Sequence, residues 1–319
     1  VSEPHPPAPD AESRSGIDVS FLARLPPEQL RVLLPSFLAG FVDDPVVAAA
    51  NRVRTAELVA AWSDDDCGEV VAHLGRIGSS HELYPAHPAG RALAREWTRD
   101  VILEPTVSGI EHLAAAAAAG PTLVACNHTS YLDTTATDAA LCCNGHAALA
   151  DRIVALAGPK VYADLFRRVA AGCLNTLPVP QSTSFGHTEK LSPRELARKA
   201  HESLESAGTL LTAGWILLLY PEGSRTRTGR FGSFLRATHR YFGCVEGLRV
   251  VPMAITGSDR VMPVSDPRLH PGTVHVACGP ALQVGPDGTT RDVLDAAHAA
   301  VEALLPPALR PEPGTPRSA

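Results

Sequence analysis

A histidine and an aspartate five positions apart, His128 and Asp133, close the stretch "CNHTSYLD" at residues 126–133. An imidazole can take a proton near neutral pH. A carboxylate bonded to one ring nitrogen fixes the tautomer and leaves the other nitrogen to act as a general base. The same spacing occurs at His5–Asp10 and His146–Asp151, so spacing alone selects nothing. Setting does. His5 lies in a Pro-rich polar stretch and His146 precedes an apolar run, whereas His128 leaves "TLVAC" (122–126), which reads as a buried strand. A helix, "TTATDAALCC", follows it, with Asp133 placed as N-cap. Ligands of open α/β sheets bind outside such strand ends. Two readings stand side by side here: a base with its orienting acid, or two polar residues that cap a helix.

A second stretch, "YPEGSRTRTGR" (220–230), directly follows the apolar run "WILLLY" (215–220). Gly223 and Ser224 can turn the backbone sharply there. Arg225, Arg227 and Arg230 then crowd into six positions, and guanidinium is the side chain that grips phosphate or carboxylate with two parallel bonds. A solvated basic loop is the plain alternative, but this loop leaves the same kind of strand end as His128. Cys126, beside the histidine, reads as packing and not as a thiol nucleophile, because no thiolate-stabilising pattern surrounds it. Asp64, Asp65 and Asp66 read as a solvated loop, since no ligand residue is spaced with them.

The elements that must position these residues follow from periodicity. Residues 1–18 and 307–319 are rich in Pro and polar residues and read as disordered tails. Over 19–100 apolar residues recur at three- and four-residue spacing between Pro, Gly and Asp breaks, which predicts a small helical domain or layer. From 101 to 306 helices alternate with short apolar runs at 122–126, 152–158, 215–220, 249–255 and 273–278. A helix over 193–207 opens with Ser192, Pro193 and Glu195 as a capping box, and Gly208 is placed to stop it. The expected fold is α/β: a mixed, mostly parallel sheet flanked by helices, with a smaller N-terminal helical domain. The net charge of -6 disfavours a nucleic-acid partner. Seven cysteines, an odd number without a Cys-x-x-Cys pair, point to a reducing compartment and away from zinc. No run approaches the roughly 20 apolar residues of a spanning helix. A cytoplasmic protein with at most peripheral membrane contact is expected.

"NHTSYLD" (127–133), "YPEGSRTR" (220–227) and the apolar strand "VVPMAI" (250–255) resemble, in order and spacing, the first, third and fourth sequence blocks of the glycerolipid acyltransferase family. The chain looks most like the soluble, plastid-type glycerol-3-phosphate acyltransferases of that family. The resemblance implies an acyl-carrier-protein or acyl-CoA thioester as donor, a phosphorylated hydroxyl acceptor such as glycerol 3-phosphate, and no metal or nucleotide cofactor. It implies His128 as base and Asp133 as its orienting acid. It assigns Asn127, Glu222, Gly223, Ser224, Arg225 and Arg227 to substrate binding. The chain departs from the family at its second block, which usually brings a cation to the acceptor phosphate. Here that region reads "CLNTLPVPQSTSFGHTEK", with His187 and Lys190 as the nearby candidates. An acceptor of specialised metabolism (a sugar, polyketide or peptide hydroxyl or amine), hydrolysis of the thioester, and a non-catalytic lipid- or anion-binding module remain the alternatives.

Overall fold

The computed structural model describes residues 25–180, 192–285 and 288–318. Four helices come first: α1 (Pro27–Ala39), α2 (Pro45–Ala60), α3 (Asp64–Arg76) and α4 (Pro88–Thr98). Then β1 (Ile102–Ser108), α5 (Ile110–Ala119), β2 (Thr122–Cys126), α6 (Asp133–Cys143), α7 (Ala147–Ala150) and β3 (Ile153–Ala157) follow. Next are α8 (Pro159–Ala163), α9 (Leu165–Gly172), β4 (Asn175–Pro178), α10 (Pro193–Thr212) and β5 (Ile216–Leu219). The last are β6 (Arg249–Thr256), α11 (Ser258–Val261), β7 (Gly272–Cys278) and α12 (Thr290–Leu304).

The seven strands form one sheet in the order β1-β7-β6-β2-β5-β3-β4. All pairs are parallel except β6 with β7, so the sheet is mixed and mostly parallel. β2, β3 and β5 are buried at every position, as strands covered on both faces must be. Their side chains still alternate between two cores. Val124, Cys126, Ile216 and Leu218 pack with α1–α6 and α9. Leu123, Ala125, Leu217 and Leu219 pack with α10, α12 and the segment 231–248.

Of the two expectations for the N-terminal helices, a small domain or a layer, the packing fits the layer: Leu30, Leu34, Val59, Trp62, Leu93 and Trp97 join the cluster on one sheet face. Other expectations are corrected. Helix α10 runs through Gly208 to Thr212, because its buried face continues through Ala207, Leu210 and Leu211. One glycine costs a helix interior only about 1 kcal/mol. The stop comes instead at Gly214, at φ +86°, where Gly214 N donates to Leu211 O and Trp215 N to Leu210 O. Asp133 is not the N-cap of α6 but its first residue, after Leu132. Strand β1 escapes a periodicity search because Pro105, Glu104 at φ +43° and a register shift between Leu103 and Thr106 interrupt it. The C-terminal stretch, read as a tail, is laid along the segment 231–234: Phe231 N donates to Leu309 O and Phe234 N to Arg317 O. Among the described residues, no helix is long and apolar enough to cross a membrane.

Candidate active site

β2 lies between β5 and β6 and runs parallel to both, so three strand ends open side by side. The loop after β2 carries His128, that after β5 carries Glu222 to Arg227, and β6 runs into Ser258. His128 Nδ1 lies 2.8 Å from Asp133 Oδ2. The same oxygen accepts from Thr129 N at 2.7 Å and Ser130 N at 3.0 Å. The other, Oδ1, accepts from Thr129 Oγ1 at 3.2 Å and Ser258 Oγ at 2.5 Å. Asp133 is fully buried, and backbone N–H groups can only donate, so its carboxylate is an acceptor throughout. The imidazole must therefore donate from Nδ1, and Nε2 carries the lone pair. Nε2 has no hydrogen-bond partner among the described residues, and the side chain is 17% exposed.

The backbone of His128 is held at both ends by the second loop. Its N–H donates to Glu222 Oε1 at 2.7 Å, and its C=O accepts from Thr226 N at 2.9 Å. Its ring stacks on Tyr220, with centroids 4.4 Å apart, and the Tyr220 hydroxyl lies 3.0 Å from Thr134 Oγ1. The imidazole thus has a fixed tautomer, a fixed plane and one nitrogen without a hydrogen-bond partner among the described residues, which suits a general base.

The other expected site residues divide. Asn127 is assigned to substrate by sequence, but its amide is spent on the fold: Nδ2 donates to Ile255 O at 2.9 Å and Oδ1 accepts from Ile255 N at 2.8 Å. That pair ties the end of β2 to β6. Glu222, likewise assigned to substrate, is turned inward, with Oε2 accepting from Gly232 N at 2.9 Å. Burial pushes its carboxyl up to about 8, against the two backbone N–H bonds that favour the ionised form. Gly223 has φ +70°, and a Cβ there would lie 2.2 Å from Leu235 Cδ1, so the turn admits little else. Ser224 and Arg227 are exposed on the loop, and the Arg225 guanidinium lies over the Tyr131 ring, 3.4 Å from its centroid. Arg230 turns away to Arg310 O and Glu312. His187 and Lys190 fall outside the described residues. Cys126 is fully buried, and burial pushes its thiol well above the ordinary value, as packing requires.

Residues 104–256 match the model of the family described as Acyltransferase. The chain carries an acyltransferase-family domain. The match opens in β1 and ends with β6, so it contains His128, Asp133 and the whole loop 220–227. The chain is also similar to a crystal structure of the 1-acyl-sn-glycerophosphate (LPA) acyltransferase PlsC from Thermotoga maritima. That similarity has 16% identity and a TM-score of 0.44, over 87% of this chain and 98% of that one. No curated protein matches the chain by sequence.

Three residues of this candidate site carry no sequence signal that singled them out. Ser258 lies two positions past the matched segment and reaches Asp133 only because β6 lies beside β2. Tyr131 and Tyr220 read as loop and strand residues, yet one supports Arg225 and the other the His128 ring. Tyr131 already stood inside the motif, and an aromatic between a candidate base and its acid was the available signal. Nothing local marks Ser258.

Proposed function

We propose that this chain transfers an acyl group from a carrier thioester to a hydroxyl of a small phosphorylated acceptor, with glycerol 3-phosphate as the first candidate. His128 Nε2 takes the hydroxyl proton as the acceptor oxygen attacks the thioester carbonyl. The C–O bond forms, the C–S bond breaks, and the leaving thiolate recovers the proton from the imidazolium. Asp133 holds the imidazolium while it lasts. General-base assistance of this kind contributes about 10²–10⁴ in rate. Arg225 and Arg227 would meet the acceptor phosphate. The donor would be acyl-carrier protein or acyl-CoA. The observation that carries this reading is the 2.8 Å His128–Asp133 contact at the exit of β2, with Nε2 unpartnered among the described residues.

The test is thioester consumption read by mass spectrometry, with glycerol 3-phosphate present and absent, for the native chain and His128→Ala. Acylated glycerol phosphate formed by the native chain alone is the expected result. More than a tenth of native turnover in His128→Ala would rule out the base. A second reading, an unphosphorylated acceptor of specialised metabolism, draws on the Pro and Gln residues at the second block. Equal rates with glycerol and glycerol 3-phosphate would favour it.

A further inference from the structure

Two cations converge on one aromatic ring beside the candidate base. Arg225, from the loop after β5, lies 3.4 Å from the Tyr131 centroid, and Arg167, from α9, lies 4.3 Å from it. The two guanidinium carbons are therefore within about 8 Å of each other, inside the range where like charges repel appreciably near a protein surface. The ring's π face offsets part of that repulsion. Tyr131 itself stands between His128 and Asp133, so both cations border the turn that carries the base.

The two arginines at the start of α9 have different fates. Arg168 is spent inside the fold: it donates to Tyr162 O at 2.8 Å, Leu74 O at 2.7 Å and Ile77 O at 3.0 Å. Arg167 has only its Nε near a carboxylate, 3.4 Å from Asp164 Oδ1. Asp164 also accepts from Arg167 N at 2.9 Å as the N-cap of α9. The terminal nitrogens of Arg167 have no hydrogen-bond partner among the described residues, although the side chain is only 22% exposed. The Tyr131 hydroxyl has none among them either. A largely buried guanidinium whose terminal nitrogens have no hydrogen-bond partner among the described residues, near a second guanidinium, suits an anion with several acceptor oxygens.

We propose that Arg167 supplies a second cation for the acceptor beside Arg225, and that Arg167, Arg225 and the Tyr131 hydroxyl together select a phosphomonoester. Two positive charges suit a dianion better than a carboxylate or a neutral polyol. The proposal rests on the acyl-transfer reading for its substrate, but the anion site can be tested without turnover.

The probe is inorganic phosphate, titrated against native chain, Arg167→Ala, Arg167→Gln and His128→Ala, by calorimetry and by the phosphate-dependent rise in Tm. Arg167→Gln keeps part of the aliphatic stem while removing the charge, so it answers for packing loss in Arg167→Ala. Loss of one charge-assisted contact should weaken phosphate about 10–100-fold in both Arg167 variants and leave His128→Ala like the native chain. The acceptor KM should rise by a similar factor, with kcat within about threefold and the donor KM unchanged. Phosphate affinity within twofold of native in both Arg167 variants would overturn the proposal. If His128→Ala kept its turnover while the Arg167 variants lost phosphate, the base would be wrong and the anion site would stand.

Discussion

Glu222 offers the sharpest test of how the site is held. Its two oxygens accept the backbone N–H groups of His128 and Gly232, and burial pushes its carboxyl up from an ordinary 4.5 to about 8. The folded chain therefore keeps a proton between about pH 4.5 and 8 that the unfolded chain has released. Stability from this group is full below pH 4.5, falls as pH rises through that window, and is lost above about 8. At 1.36 kcal/mol per pH unit the loss totals roughly 5 kcal/mol as an upper bound. Glu222→Gln removes the titration. It also sets an NH2 against one of the two backbone donors, which costs about 1–3 kcal/mol at any pH. The native chain should therefore be the more stable at pH 5, and its advantage should shrink or reverse by pH 8.5. For a chain of this size 1 kcal/mol moves Tm by about 2 °C, so the Tm difference should drift by several degrees, up to about 10 °C, toward the variant. Other titrating groups cancel in that difference. A difference constant to within about 1 °C from pH 5 to 8.5 would refute the argument that burial governs this carboxyl.

Three further outcomes are expected. Asp133→Asn should abolish turnover and lower Tm by about 2–6 °C, because several N–H and O–H donors lose a charged acceptor; native-like Tm would mean those bonds are not closed in solution. Ser258→Ala should cut kcat about 3–10-fold with the acceptor KM unchanged and Ser258→Thr restoring much of it; a change confined to KM would move Ser258 from positioning Asp133 to binding substrate. Gly223→Ala should cost about 1–3 kcal/mol by thermal unfolding, since it combines φ +70° with a Cβ pressed on Leu235; a neutral result would show that the turn relaxes.

The fold class was legible in the sequence because strand and helix periods are local. The runs at 122–126, 215–220 and 249–255 carry enough apolar side chain to be buried on both faces, and that demands helices above and below. The capping box at Ser192–Glu195 was equally readable, since its atoms lie within one turn. The end of α10 was not, because a glycine stops a helix only where no buried face carries on past it, and the face continues through Leu210 and Leu211. Nor was the sharing of one core between α1–α4 and the sheet, because periodicity says which face is apolar and not what covers it.

The site divides along the same line. His128 with Asp133, and the loop 220–227, are each compact enough in sequence to be recognised as motifs, and residue type, spacing and the setting at strand ends together marked a candidate base with its acid and a basic turn. Which polar groups face substrate was decided by strand order. Asn127 and Glu222 are motif residues whose hydrogen bonds go to Ile255, to the His128 backbone and to Gly232, because β2 is flanked by β6 and β5. Ser258 and Arg167 belong to no motif, yet they reach Asp133 and Tyr131 across 125 and 36 residues of chain. A hydrogen bond or a ring contact acts over only a few ångströms. Sequence spacing reports that distance within one turn, and beyond it only the packed sheet does.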